Sequence, residues 1–181
     1  MEIADNEILL TFRESTSRER GFTMLVTKYQ QRLYWMIRRM LVDHDDADDV
    51  LQNTFIKVWK GLENFREDSQ LYTWLYRIAT NETLSWINQT NRRAQISMDK
   101  VEYSVSNKLS SDKYFNGNEI ERKLQVAMAA LPEKQRLVFQ LRYYDEMPYE
   151  EMSNVLGTSE GALKASFHHA VKKVEKYLLA D

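Results

Sequence analysis

The chain reads as a succession of amphipathic helices. From Phe22 to Leu41 the apolar residues Phe22, Leu25, Val26, Tyr29, Leu33, Met36, Ile37 and Met40 recur at steps of three and four, which places them on one stripe of a helix. Asp45 or Asp46 is positioned to cap the next helix, whose apolar face runs through Val50, Leu51, Phe55, Val58, Trp59 and Leu62, with Gly61 loosening its end. Ser69 is a candidate cap for a third long helix carrying Trp74, Leu75, Ile78, Leu84 and Ile87. After Arg92-Arg93 the period dissolves. Residues from about Ala94 to Asn118 hold five Ser and three Asn without a sustained repeat, the signature of a linker. Helices resume near Glu119. Pro132 stands as the first residue of a helix reaching about Tyr144, and Pro148 as the first of a short one ending at Leu156. Gly157-Thr158 breaks it, and Thr158 or Ser159 caps a last helix running to about Leu179.

Composition narrows the class. Five Gly and two Pro are too few for the turns of a β-rich chain, so the expected fold is all-α. The pattern divides it into two small helical domains, residues 1–93 and 119–181, each with its own modest core, joined by a flexible linker over residues 94–118. There is no cysteine, hence no disulfide framework and no thiolate metal site. No secretion signal or apolar run of bilayer-spanning length is visible, so a soluble, cytoplasmic protein without membrane insertion is expected. A net charge of −2 predicts weak non-specific affinity for DNA. That charge is unevenly spread. Asp43 to Asp49 holds five Asp, whereas Lys164 to Lys176 holds four Lys against one Glu, which suggests two kinds of partner.

Candidate chemistry lies in three places. Pro148 to Leu179 has the layout of a helix-turn-helix: a short helix, a Gly-containing turn and a longer amphipathic helix. Leu163, Phe167, Ala170, Val171, Val174 and Leu178 of its second helix face inward, so the opposite face carries Ala165, His168 and Lys172, flanked by Lys164 and His169. Lys and His suit phosphates and guanine acceptors, and Ala suits a thymine methyl; a plain solvated helix face would look the same. Adjacent His168 and His169 diverge by about 100° and cannot easily share an ion, so no metal site is expected. The second place is Phe65 to Ala79, where aromatics, Arg and small polar residues surround a loop-to-helix junction suited to holding unstacked bases. Trp74, Leu75 and Ile78 share a core face there, whereas Phe65 and the loop Arg66 to Ser69 are harder to bury. The third is the acidic turn Asp43 to Asp49. It is either a solvated first helical turn favoured by the dipole or the rim of a protein interface beside Leu51 and Phe55.

At these residues a family resemblance becomes specific. Phe65-Arg66-x-x-Ser69-x-x-x-Thr73-Trp74-Leu75-Tyr76-Arg77-Ile78-Ala79-x-Asn81 resembles the promoter-melting segment of extracytoplasmic-function sigma factors. Ala47-Asp48-Asp49-Val50-Leu51-Gln52-Asn53-Thr54-Phe55 is similar to the segment with which that family grips the polymerase clamp. Leu131-Pro132-Glu133-Lys134-Gln135-Arg136-x-Val138-Phe139 and Tyr149-Glu150-Glu151-Met152 through Gly157-Thr158-x-x-Gly161 resemble its second domain. The resemblance runs from about residue 5 to residue 179, and it implies an alternative sigma factor whose partners are core RNA polymerase and promoter DNA. It assigns polymerase binding to Asp48, Asp49, Leu51, Gln52 and Phe55. Minus-ten recognition falls to Phe65, Arg66, Asp68, Ser69, Arg77, Ile78 and Asn81, and minus-thirty-five recognition to Lys164, Ala165, His168, His169 and Lys172. An anti-sigma factor is a common further partner in the family; no cofactor, small-molecule substrate or enzymatic activity is implied. The chain departs from the pattern at Asn53, where Glu is usual, and at Ala165, Ser166 and His169, where Ser and Arg are commoner. The competing reading is a stand-alone helix-turn-helix regulator that binds its operator without polymerase.

Overall fold

A computed structural model describes residues 3–94 and 118–179. Among them it holds eight α-helices and one 3-10 turn, with no strand. The predicted linker, with Tyr103, Tyr114 and Phe115, lies outside the described residues except at its two ends.

The first helix is one the periodicity did not announce. α1 (Asp5–Arg13) buries Ile8, Leu9 and Phe12 against α2 (Arg18–Leu41). The two helices meet so closely at Gly21 that a Cβ there would lie 2.4 Å from the Phe12 nitrogen, so only glycine fits. The predicted α2 stripe is the observed one: Leu25, Tyr29, Leu33, Met36, Ile37 and Met40 are buried, and Phe22 and Val26 half-buried. Val42 ends α2 in the left-handed region (φ 67°), its N–H donating to the Arg38 carbonyl at 2.8 Å. That turn leaves Asp43 extended, and Asp43 rather than Asp45 or Asp46 caps α3 (His44–Gly61). Its Oδ1 accepts from the Asp45 and Asp46 backbone N–H groups at 3.1 and 3.3 Å.

The 3-10 turn Leu62–Asn64 then leads to α4 (Leu71–Ala94). α4 begins two residues after Ser69, with the Trp74 N–H donating to the Gln70 carbonyl, so Ser69 stands outside the cap position predicted for it. α5 (Glu119–Ala129) opens on a reciprocal capping box between Asn118 and Glu121. Pro132 and Pro148 sit at the caps of α6 (Glu133–Tyr143) and α7 (Tyr149–Leu156), one position earlier than predicted. Gly157 adopts φ 62° between α7 and α8 (Glu160–Leu179), and the Ser159 Oγ accepts from the Ala162 N–H at 3.4 Å.

α1–α4 and α5–α8 form the two helical domains, but they do not keep separate cores as the sequence suggested. One apolar cluster runs from Leu75 and Tyr76 of α4 to Leu137, Val138 and Leu141 of α6, then to Met147 and to Met152 and Val155 of α7. The cause is legible in α6. Leu137 through Leu141 are all buried, so the middle turn of this helix is covered on every side and serves two neighbours at once. A second cluster (Ala127, Met128, Leu131, Phe139, Ala170, Val174) stays within α5–α8. Val42 of the first domain packs against Val126 and Ala129 of α5. Burial on this scale is stabilising at roughly 25 cal/mol per Å² of apolar surface removed from water.

Candidate nucleic-acid interface

The second helix of the helix-turn-helix presents the simplest surface. Leu163, Ala170 and Val174 are buried and Phe167, Val171 and Leu178 half-buried, so the inward face follows the predicted spacing. Lys164, Ala165, His168, His169 and Lys172 are all exposed. The Lys164 ammonium rests 3.1 Å from Glu160 Oε2, one turn back, and 5.4 Å from the Tyr149 ring centroid. Both contacts are on the surface and leave the ammonium easily redirected. The His168 and His169 ring centroids lie 6.1 Å apart, and no cluster able to hold a metal ion occurs among the described residues.

The minus-ten residues assigned by resemblance lie around the α4 N-terminus, but not all on its surface. Phe65 was expected to resist burial, yet it is only 6% exposed. Its ring lies against Trp74 at 5.1 Å between centroids, its N–H closes the 3-10 turn onto the Leu62 carbonyl, and its own carbonyl accepts from Arg13. Phe65 therefore braces the loop from below and cannot stack on a base without leaving the core. The loop above it is exposed at Arg66, Glu67 and Asp68. Glu67 adopts φ 61° and is held by Arg13 at 2.7 Å. Thr73, Arg77 and Asn81 succeed one another at four-residue steps on α4, with Ile78 half-buried beside them.

Asp68, Ser69, Gln70, Thr73 and Arg77 line a cleft of about 420 Å³, whose far wall is Glu150, Glu151 and Asn154 of α7. Gln70 and Thr73 are additions to the sequence reading. Thr73 belongs to the segment that carries the family resemblance, although it is not among the residues assigned to minus-ten recognition. Arg77 is turned toward α7: its Nε donates to the Asn154 carbonyl at 3.1 Å, and its Nη2 to the same oxygen.

Close to this cleft the two domains share polar contacts. The Tyr76 hydroxyl donates to Asp145 Oδ1 at 3.2 Å, Gln140 Nε2 donates to Asp145 Oδ2 at 3.2 Å, and the Arg39 guanidinium sits 4.2 Å from the Tyr144 ring centroid. Burial raises the Asp145 carboxyl above the ordinary carboxylate range, against the opposing pull of Gln140, Arg39, Tyr76 and Arg32. Burial also pushes the Tyr72 phenol up to about 12, with Asp145 and Glu151 adding to it, and drives the Tyr76 phenol higher still. Both phenols therefore stay neutral, and Tyr76 is the one that donates to Asp145.

On α3 the assigned polymerase-binding residues split by face. Asp49 and Gln52 are exposed, whereas Asp48 is half-exposed and tied to His44 at 3.4 Å. Leu51 and Phe55 are half-buried, with Phe55 edge-on to Phe22 at 6.3 Å. The outward face also carries Ile56, 52% exposed, which the sequence reading passed over because the apolar stripe was assigned around it.

Comparison with known proteins fits this arrangement. Residues 25–93 match Sigma-70 region 2, and residues 121–174 match Sigma-70 region 4. The RNA polymerase sigma-H factor of Pseudomonas aeruginosa is 30% identical over 177 residues, covering 93% of this chain and 92% of that protein. The ECF RNA polymerase sigma-E factor of Haemophilus influenzae is 28% identical over 174 residues, 92% of each. Among solved structures, CnrH in complex with the cytosolic domain of CnrY superimposes with a TM-score of 0.71 at 23% identity, over 99% of both chains. The sigma factor RpoE in complex with the anti-sigma factor NepR from Bartonella quintana gives 0.70 at 22% identity, over 90% of this chain and 99% of that one. With both regions matched in order on an all-helical, two-domain frame, the chain belongs to the extracytoplasmic-function sigma factors of the sigma-70 family.

Proposed function

We propose that this chain directs core RNA polymerase to its promoters by dividing the work among three surfaces. Residues 1–93 form the polymerase-binding and minus-ten domain, residues 94–118 the linker, and residues 119–181 the minus-thirty-five domain. The α3 face of Asp48, Asp49, Gln52 and Ile56, with Leu51 and Phe55 at its edge, docks on the polymerase. Arg66, Asp68, Ser69, Arg77, Ile78 and Asn81 capture an unstacked base of the non-template strand, with Phe65 as the brace beneath. Lys164, Ala165, His168, His169 and Lys172 enter the major groove.

The observation that carries this reading is the outward face of α8, where Lys164, Ala165, His168, His169 and Lys172 are all exposed on the second helix of a helix-turn-helix matched to Sigma-70 region 4. A net charge of −2 fits dependence on polymerase: two weak DNA sites gain strength when a third body fixes their spacing. The bond-making chemistry belongs to the polymerase, so the chain itself is no enzyme and acts in the cytoplasm, where the polymerase is. No described helix is long and apolar enough to cross a membrane. CnrH and RpoE were each captured with a partner, an anti-sigma factor in the case of RpoE, and a restraining partner of that class is proposed here as well.

Run-off transcription tests the reading, using purified core polymerase with and without the chain on a pooled promoter library. Sequence-selective initiation that requires both components is the expected result. A chain that shifts specific duplexes alone while adding nothing to the polymerase would instead be a stand-alone regulator.

A further inference from the structure

We propose that the corner between α1 and α2 presets the loop that captures the minus-ten base, with Arg13 as its positioning residue. The proposal rests on the assignment of Arg66, Asp68 and Ser69 to minus-ten recognition, and adds what gives those residues their places. Arg13 and Arg18 lie outside residues 25–93, the stretch matched to Sigma-70 region 2.

The loop needs a support from elsewhere in the chain. Residues 65–70 join the 3-10 turn to α4 with no helix or strand among them. Among the described residues, Arg66 to Ser69 make no backbone–backbone hydrogen bond, so no ladder of their own fixes their path. Glu67 nevertheless adopts φ 61°, a left-handed conformation that a residue with a Cβ reaches only at a steric cost. Such a conformation persists where its surroundings over-determine it. Arg13 supplies that determination. Its Nη2 donates to the Phe65 carbonyl at 3.3 Å and lies 2.7 Å from Glu67 Oε1, so one guanidinium nitrogen ties the residues on either side of Arg66.

The clamp is itself held in place. The α1 and α2 backbones close to contact at Phe12 and Gly21, and the Ser17 Oγ lies 2.9 Å from both the Thr11 carbonyl and Glu14 Oε2. Beyond the corner, Arg18 reaches Glu63 of the 3-10 turn at 3.0 Å. Its guanidinium lies 4.7 Å from the Phe12 ring centroid and 5.2 Å from that of Trp59. Two arginines of one corner thus hold the turn before the loop and the loop itself.

Charge gives the clamp a second effect. Glu67 and Asp68 are neighbouring carboxylates at a site that must meet a polyanion, and Arg13 pairs with the first of them. Each partner of that pair is 45% exposed, so the pair adds little to the stability of the fold. Its consequence lies in the conformation and charge of the loop.

Run-off transcription by the full-length chain with core polymerase, on promoters randomised at the minus-ten element, tests the clamp. Arg13→Ala should lower discrimination at the captured base about tenfold, as expected if the competent loop falls from nearly all molecules to about a tenth. Preference at the minus-thirty-five element and the melting temperature should stay as in the wild type. Arg13→Lys keeps the charge and a donor, and should recover most of the discrimination. Glu67→Ala should repeat the loss, and combining it with Arg13→Ala should be no worse than either change alone. An unchanged minus-ten profile in Arg13→Ala overturns the clamp, as do additive losses in the double variant. Equal losses at both promoter elements also overturn it, since they would trace to polymerase docking or folding. A wild type whose initiation ignores the minus-ten sequence overturns the minus-ten assignment, and this proposal with it.

Discussion

The α8 and α4 recognition faces are built from the same kind of element and meet opposite fates. On α8 the inward residues bury within the helix's own domain, and the outward ones are exposed, Lys164 reaching only Glu160 and Tyr149 of that same domain. On α4 one side packs into the first domain, and another is taken up by α7 of the second, while α6 lies against α2. A helix with one packed face can be read from its period alone, because whatever is not apolar must be outside. A helix with two packed faces cannot. Its second partner arrives from a distant part of the chain and claims polar residues such as Arg77 and Tyr76 as readily as apolar ones.

The contrast can be broken hardest at Leu75, which is 0% exposed beneath the α4 face. Leu75→Ala should cost about 2–5 kcal/mol in a chemical denaturation experiment, the range for a buried leucine leaving a cavity. His168→Ala on the exposed α8 face should change stability by no more than roughly 0.5 kcal/mol. Equal losses at the two positions would mean that the α8 face is buried in solution. Next in size, Lys164→Ala should weaken promoter binding by the polymerase complex by about 1–3 kcal/mol if the ammonium reads a base. Truncating it also removes the Glu160 pair, but an exposed pair of this kind contributes about 0–1 kcal/mol, so the melting temperature should barely move. A binding loss of the same size on every promoter sequence would reassign Lys164 to the phosphate backbone.

Particular residues show why the sequence disclosed some of this and withheld the rest. The α2 and α8 stripes and the exposure of Lys164, Ala165, His168, His169 and Lys172 followed from three-and-four spacing. The Gly157 break followed from the left-handed turn that glycine tolerates. The first helix was missed because it depends on a close backbone approach at Gly21, which no period records. Asp43 displaced Asp45 and Asp46 as the α3 cap because Val42 turns left-handed, and a β-branched residue gives no warning of that. Phe65 looked surplus to the core because its partner Trp74 sits across a loop, where helical spacing has no meaning. The shared core was hidden for the same reason: Leu137 to Leu141 are apolar enough to announce burial, but not to say against what.

The smallest effect probes the seam itself. Asp145 faces Tyr72 and Tyr76 from α4, Arg32 and Arg39 from α2, and Gln140 from α6. Burial raises its carboxyl above the ordinary value of 3.8, so the closed form binds a proton more readily than an opened form that returns Asp145 to water. Linkage then fixes the sign. The protonated junction is most stable below the ordinary carboxylate value, and that advantage is lost as pH rises through the raised value in the closed form. Acidification from neutrality toward the ordinary carboxylate value should therefore tighten the junction, read as rising fluorescence transfer between dyes placed one on each domain. Asp145→Asn keeps an oxygen for the Tyr76 hydroxyl but cannot titrate, so its transfer efficiency should stay flat over the same interval. The other carboxylates titrate identically in both proteins, so only the difference between the two curves belongs to Asp145. Coincident curves would place the pH response elsewhere and leave Asp145 as a hydrogen-bond acceptor only.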